Sequence, residues 1–171
     1  QNYHTADSIY QLALEIAGKL DGDYRKDISH FTQMLGVICR KQERWEEAEE
    51  HLTSAKTMFE DLYDQPHAEL AWNLNHFASL YFDQNEPAKA EPYARKAWEQ
   101  RKQVFGPTNI QTLASLSNLA RIYDRRKQYD KALEAYTEVL RAMKATLGPE
   151  HPYISAILTN IASAQRRLYG P

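Results

Sequence analysis

The sequence repeats itself every 42 residues, and no other feature constrains the fold as strongly. Three consecutive copies align, at residues 26–67, 68–109 and 110–151. Small residues recur in three columns of this alignment, which are Gly36, Ala78 and Ala120, then Ala48, Ala90 and Ala132, then Ala55, Ala97 and Val139. One copy of this length is too small to bury its own apolar side, so the copies are expected to stack on one another.

Within each copy the apolar residues follow helical spacing. In the third copy Leu116, Leu119, Ala120 and Tyr123 stand at i, i+3, i+4 and i+7, which predicts one apolar stripe along a helix. A polar turn follows at 125–128, and a second stripe begins at Tyr129. Each copy is therefore predicted to be a helical hairpin. The small columns mark the places where two helices come close together, because only short side chains allow such contact.

Both ends of the chain carry half-copies. Residues 1–25 match the second helix of a copy, and residues 152–171 match the first helix of a following copy or a cap. We therefore predict an all-α solenoid of about eight helices, with one orphan helix, three hairpins and a second orphan helix in a single array over 1–171. Because Gln1 falls inside a predicted turn, we expect the chain to be part of a longer array.

Composition and charge exclude several classes of function. A formal net charge of -2 and a pI near 6.3 argue against nucleic acid as a partner, because a phosphate-binding surface is usually basic. No run of 18 apolar residues is present, so no membrane partner is expected. The start of the chain has no signal-peptide pattern, and we expect a cytoplasmic protein. Cys39 is the single cysteine, which excludes an internal disulfide.

The sequence offers no set of residues for catalysis or metal binding. Its six histidines include no i, i+4 pair and no neighbour at metal-ligand spacing. His67 and His151 occupy the same link between copies and are interpreted as turn residues. No nucleophile–base set or phosphate loop is found. The chain is therefore predicted to be no enzyme and to carry neither metal nor cofactor.

The spacing of the small residues, with a bulky residue before and a tyrosine after the first of them, resembles the tetratricopeptide repeat. The period of 42 residues, the link Gly148-Pro149-Glu150-His151-Pro152 and the segments at 116–120 and 158–162 are similar to the kinesin light chain variety of this repeat. This resemblance covers nearly the whole chain. It implies a right-handed superhelix of antiparallel hairpins whose first helices line a concave groove that holds peptides, as in cargo and adaptor domains.

Once the apolar stripes are buried, one face of each first helix remains outside the core. Its charged side chains are Arg40, Lys41, Arg121, Arg125, Arg166, Arg167, Asp83 and Asp124. Six are basic and two acidic, so this face carries a surplus of four positive charges while the remainder of the chain carries -6. The residues that we assign to a peptide groove on this side of the array are Gln33, Trp72, Asn75, Ser79, Asn118, Arg121, Arg125, Asn160, Ser163 and Arg167.

These residue types predict an extended, acidic peptide as the ligand. Arginine offers a fork of donors to a carboxylate, and asparagine can pair with a peptide backbone. The competing interpretation is that basic residues in the last helical turns only complement the helix dipole. Arg121 lies in the middle of its helix and falls outside that explanation. Trp72 is either an aromatic anchor for a ligand or part of the core.

Two further roles stay open beside a peptide-binding adaptor. An array with open ends can stack end to end, which would make the chain a structural module and a homo-oligomer. The chain could also be the regulatory arm of a larger protein whose chemistry lies outside these residues.

Overall fold

The computed structural model describes residues 2–19, 22–64, 66–148 and 150–170. Over these residues the chain forms helices and no strand. The helices are α1 (Asn2–Lys19), α2 (Arg25–Lys41), α3 (Trp45–Leu62), α4 (Ala68–Asp83), α5 (Pro87–Phe105), α6 (Ile110–Arg125), α7 (Tyr129–Leu147) and α8 (Pro152–Tyr169). The prediction of an all-α array of about eight helices is confirmed.

Each helix packs mainly on its neighbours in the sequence. The hairpins are α2 with α3, α4 with α5 and α6 with α7, and they stack through the contacts of α3 with α4 and of α5 with α6. The first helices α2 and α4 also touch each other. Because contacts run almost entirely between successive elements, the fold is a solenoid. Its main core cluster extends from Cys39 to Ile157, and Leu70, Leu74 and Ala97 form a second, smaller one.

The three hairpin turns share one backbone geometry. In the first, the N–H of Arg44 donates to the carbonyl of Cys39 at 2.9 Å, and the N–H of Glu43 donates to the carbonyl of Arg40 at 3.1 Å. The other two turns repeat both hydrogen bonds. This is a Schellman helix end, which needs a left-handed residue in the turn. In these three turns the residues with positive φ are Glu43, Asn85 and Lys127, at 61°, 59° and 60°. The chain therefore reverses in the same way in every copy.

The links between hairpins are closed by helix caps. The side chains of His67, Asn109 and His151 each accept a hydrogen bond from the backbone N–H two residues further on, at the starts of α4, α6 and α8. Such a cap satisfies one of the donors that a helix start leaves unpaired. His67 and His151 thus act in the turns, as interpreted from the sequence.

The small columns lie where helices meet. Ala48, Ala90 and Ala132 are fully buried. At Gly36 a Cβ atom would stand 2.8 Å from Cγ of Leu52 in α3, a distance too short for two carbon atoms. The small side chains therefore set how closely the two helices of a hairpin approach each other.

Candidate functional site

The first helices α2, α4 and α6 enclose a cleft of about 240 Å³, here called the central cleft. Its lining consists of Arg40, Lys41, Asn75, Ala78, Ser79, Phe82, Asp83, Asn118, Arg121 and Ile122. Four of these side chains, those of Asn75, Ser79, Asn118 and Arg121, belong to the groove assigned from the sequence. The repeat places them together because they occupy equivalent faces of neighbouring helices.

Two asparagines supply uncharged hydrogen-bonding groups to the central cleft. Asn118 Nδ2 donates to Asn75 Oδ1 at 3.1 Å, and Ser79 Oγ donates to the carbonyl of Asn75 at 3.0 Å. Among the described residues, Asn75 Nδ2 and Asn118 Oδ1 have no hydrogen-bond partner of their own. The pair therefore presents one amide donor and one amide acceptor side by side. These two groups can pair with the carbonyl and the N–H of a peptide backbone.

An aromatic ring holds two arginines at the cleft. The guanidinium carbon of Arg121 lies 4.9 Å from the centre of the Phe82 ring, and that of Arg125 lies 5.3 Å from it. A guanidinium held over a ring by its charge still has N–H donors for other groups. Within the described part of the chain, neither arginine has a carboxylate partner or a hydrogen-bond acceptor. Both are thus positioned without being neutralised.

Phe82 itself was not assigned to the site from the sequence. It lies at the end of α4, on the face left over by the apolar stripe, and it is half-buried. An aromatic side chain on an otherwise polar face is the signal that could have identified it. Its role depends on contacts to another helix, which a repeat alignment does not show.

The charges around the cleft are only partly compensated. Arg40 pairs with Asp83, and Arg167 of α8 pairs with Asp124 of α6. The remaining basic residues of this face, for which the described residues supply no acidic partner, are Lys41, Arg121, Arg125 and Arg166. Three of these four border the central cleft or its aromatic ring. The cleft therefore combines uncompensated basic residues with one lining acid, Asp83, that is already paired.

The α8 residues of the predicted groove lie outside the central cleft. Asn160 and Ser163 are half-buried on that helix, and the positive charge of Arg167 is balanced by Asp124. Their contribution to a longer groove stays a prediction.

The assignment of Gln33 to an open groove needs a correction. Gln33 is 3% exposed, whereas its equivalent Asn75 is half-buried and lines the cleft. Helix α2 is covered by α1 on one side and by α3 and α4 on others. A repeat column shows which residues are equivalent, but it does not show that one of them is covered.

Trp72 lies at the start of α4 and is 39% exposed, so it is accessible to a ligand. Its indole stacks on the guanidinium of Arg101, 4.4 Å from Cζ, and lies 6.5 Å from the His76 ring. Burial, and to a smaller extent the charges of Arg40 and Arg101, lowers the pKa of His76 to about 4. His76 is therefore neutral at physiological pH. Arg101 is buried and was not identified from the sequence.

Comparison with known proteins identifies the family. A model of the tetratricopeptide repeat matches residues 30–101 and 69–145, which together make up more than half of the chain. The human protein "Tetratricopeptide repeat protein 19, mitochondrial" is 23% identical over 158 residues, which are 91% of this chain and 40% of the human protein. The chain thus spans about two fifths of the length of that relative.

Solved structures share the fold at low sequence identity. BtubC (BKLC) from P. vanneervenii matches with a TM-score of 0.88 and 17% identity over 99% of this chain and 67% of that one. A putative kinesin light chain from Podosopora anserina, with nearly identical TPR-like repeats, matches with a TM-score of 0.76 and 19% identity over 88% of this chain and 70% of that one. The apo form of RapI matches with a TM-score of 0.81 and 16% identity over 98% of this chain and 44% of that one.

These matches confirm the right-handed superhelical solenoid that the sequence predicted. The chain belongs to the tetratricopeptide repeat family, and its fold is that of kinesin light chain-like repeats.

Proposed function

We propose that this protein-interaction module binds an extended, acidic segment of a partner protein in the groove of its first helices, as a cargo or adaptor domain does. One observation supports this proposal above all others. Arg121 and Arg125 stack on Phe82 beside the Asn75–Asn118 pair, and neither arginine has a carboxylate partner among the described residues.

The chemistry of the central cleft suits a peptide better than a small molecule. A volume of about 240 Å³ accommodates one or two side chains, and it falls below the range of roughly 300–1,000 Å³ that is usual for small-molecule pockets. A carboxylate there would accept hydrogen bonds from Arg121 or Arg125, each contributing about 1.5–3 kcal/mol. The asparagine pair would hold the neighbouring peptide bond.

The other parts of the proposal concern what the chain does not do. Among the described residues, no group of three or more His, Cys, Asp or Glu side chains could hold a metal ion. No helix in the same part of the chain combines the length and apolarity needed to cross a membrane. A non-catalytic role, a cytoplasmic location and the absence of a nucleic acid partner remain predictions from the sequence. The human relative is named as mitochondrial.

The test is a titration of fluorescent acidic and basic peptides against the Arg121→Glu variant. We expect at least tenfold weaker binding of acidic peptides, because the substitution replaces a positively charged donor at the cleft by a negative charge that repels the peptide. Arg121 is exposed, so helicity and Tm should not change. Arg141→Glu is the matched control, since Arg141 is exposed on α7 and has no ion-pair partner in the described part of the chain. Equal losses in both variants, or a preference for basic peptides, would contradict the proposal.

Self-association through the ends is a second candidate. On α1 the apolar side chains of Ile9, Leu12 and Ile16 are about half exposed, at 59%, 55% and 49%. Leu158 on α8 is 44% exposed. Helix α1 matches a second helix and α8 a first helix, so two copies could complete a hairpin between them. Light scattering separates the candidates, since a mass that stays monomeric at high concentration rules this one out.

A further inference from the structure

A buried arginine without an acidic partner lies beneath the exposed Trp72. Arg101 is 3% exposed in α5, in the repeat column that holds Phe59 and Met143 in the other two copies, and both of these are buried too. Burial lowers the pKa of Arg101 to about 10, so the guanidinium is still charged at neutral pH. A charge in an apolar column costs stability unless an opposite charge compensates it. Its presence in this copy alone therefore points to a role other than packing.

The hydrogen bonds of Arg101 fix the guanidinium and leave one edge free. Nη1 donates to the carbonyl of Gln111 at 3.1 Å and to Ser115 Oγ at 2.8 Å, both in α6. Nε and Nη2 have no hydrogen-bond acceptor among the described residues. These two N–H groups lie side by side on one edge of the guanidinium, and such an edge pairs with both oxygens of a carboxylate.

Trp72 covers this guanidinium from the ligand side of the array. Its indole lies 4.4 Å from Cζ of Arg101 and is itself 39% exposed. The neighbouring His76 is neutral and does not compensate the charge of Arg101. Glu69, one turn before Trp72 on α4, pairs with His30 at 3.0 Å. Trp72 is thus the exposed residue that contacts this guanidinium, and displacement of its ring would uncover the face of a positive, uncompensated group.

We propose that Arg101 and Trp72 form a second carboxylate site, which opens when the indole of Trp72 swings away from the guanidinium. This inference rests on the proposed function, because both sites would take carboxylates of one acidic segment. The ligand group is either an acidic side chain or the carboxylate at the C-terminus of a peptide. The indole would then pack on the bound segment as an aromatic anchor.

The distance between the Arg101 site and the Arg121 site predicts how far apart the two carboxylates of the bound segment should be. Trp72, Asn75, Ser79 and Phe82 stand at i, i+3, i+7 and i+10 on α4, so they lie along one side of the helix. Trp72 and Phe82 are ten residues apart, which corresponds to about 15 Å along the helix axis. An extended peptide rises about 3.3 Å per residue. For a segment that runs along α4, two carboxylates four or five residues apart would therefore reach Arg101 and Arg121 together.

The experiment uses C-terminally amidated Ser/Gly peptides that carry two aspartates at different separations, titrated by fluorescence anisotropy. We expect the highest affinity at separations of four or five residues, at least tenfold above a peptide with one aspartate. Arg101→Met should remove this maximum and keep the affinity for one aspartate. Methionine is the residue in the same column of the third copy, so circular dichroism and Tm should show an intact fold. Affinity independent of separation, or unchanged in Arg101→Met, would overturn the inference.

A second measurement needs no variant. We expect the NMR signals of Arg101 Nε–H and of the Trp72 indole N–H to shift together when N-acetyl-aspartate amide or the best two-aspartate peptide is added. If Arg121→Glu leaves peptide binding intact while these signals still respond, the proposed function fails and the Arg101 site stands. Signals that respond to neither compound would overturn the site, whatever Arg121→Glu shows.

The same assay identifies the source of the carboxylate. In a peptide with one aspartate four or five residues before its end, a free C-terminus that binds more tightly than its amide would assign Arg101 to a C-terminal carboxylate. Equal affinities of the two forms, together with the maximum for paired aspartates, would assign it to an acidic side chain. Loss of both effects would overturn the site.

Discussion

At the hairpin turns, residues with side chains adopt a backbone conformation that suits glycine better. Lys127 has φ of 60° between α6 and α7, and left-handed backbone costs about 1–2 kcal/mol for a residue with a Cβ. Lys127→Gly should therefore raise the free energy of unfolding by about 0.5–1 kcal/mol, after the larger chain entropy of glycine is subtracted. Thermal unfolding followed by circular dichroism measures this effect.

The control for this prediction is the same substitution inside a helix. Lys96 is exposed in the middle of α5, where Lys96→Gly should lower stability by roughly 0.5–1 kcal/mol. Destabilisation by Lys127→Gly would contradict the Schellman geometry of the turn.

Individual residues of the site were predictable only where the repeat pattern determines their surroundings. Asn75, Asn118 and Arg121 come together in the central cleft because equivalent faces of α4 and α6 lie beside each other, and their role in binding stays a prediction. Burial of Gln33 and the free edge of Arg101 depend on side chains of other helices, and no column records those contacts. The charged residue in the column of Phe59 and Met143 was nevertheless visible in the sequence, as a local departure from an apolar pattern.

At the scale of helices, close contact within each hairpin is the main structural requirement. Ala132 is fully buried, in the small column of α7, so a larger side chain there has no space. Ala132→Leu should destabilise the protein by about 1–3 kcal/mol through overpacking. That corresponds to about 2–4 °C in Tm for each kcal/mol in a chain of this size.

Ala145→Leu provides the matched comparison, since Ala145 is exposed on the same helix. It should unfold at nearly the Tm of the parent, because surface substitutions have small effects. If both variants melted alike, the assignment of Ala132 to the interface between helices would be wrong.

The helices themselves were the most predictable level of the structure. Apolar stripes with helical spacing determine which face is buried, and the polar turns and capped links determine where each helix ends. The left-handed residues Glu43 and Lys127 were not predicted. Neither side chain favours positive φ, and the conformation follows from the Schellman hydrogen bonds rather than from the residue type.

At the scale of the whole molecule, charge is unevenly distributed over the surface. The uncompensated basic residues Lys41, Arg121 and Arg125 lie at the central cleft of the first helices. The second helix α3 instead opens with an exposed acidic run, which consists of Glu46, Glu47, Glu49 and Glu50. A net charge of -2 hides this uneven distribution. The local field, rather than the total charge, would attract an acidic segment to the first helices.

The most direct test of this account measures the Kd of an acidic extended peptide and of its charge-reversed counterpart, each in low and in high NaCl. We predict that the acidic peptide binds more tightly, and that its advantage shrinks as salt screens the exposed arginines. Arg121→Glu should reduce both the advantage and its dependence on salt, whereas Arg141→Glu should change neither. Tighter binding of the basic peptide, or an acidic preference that does not vary with salt, would contradict an acidic partner held at the central cleft.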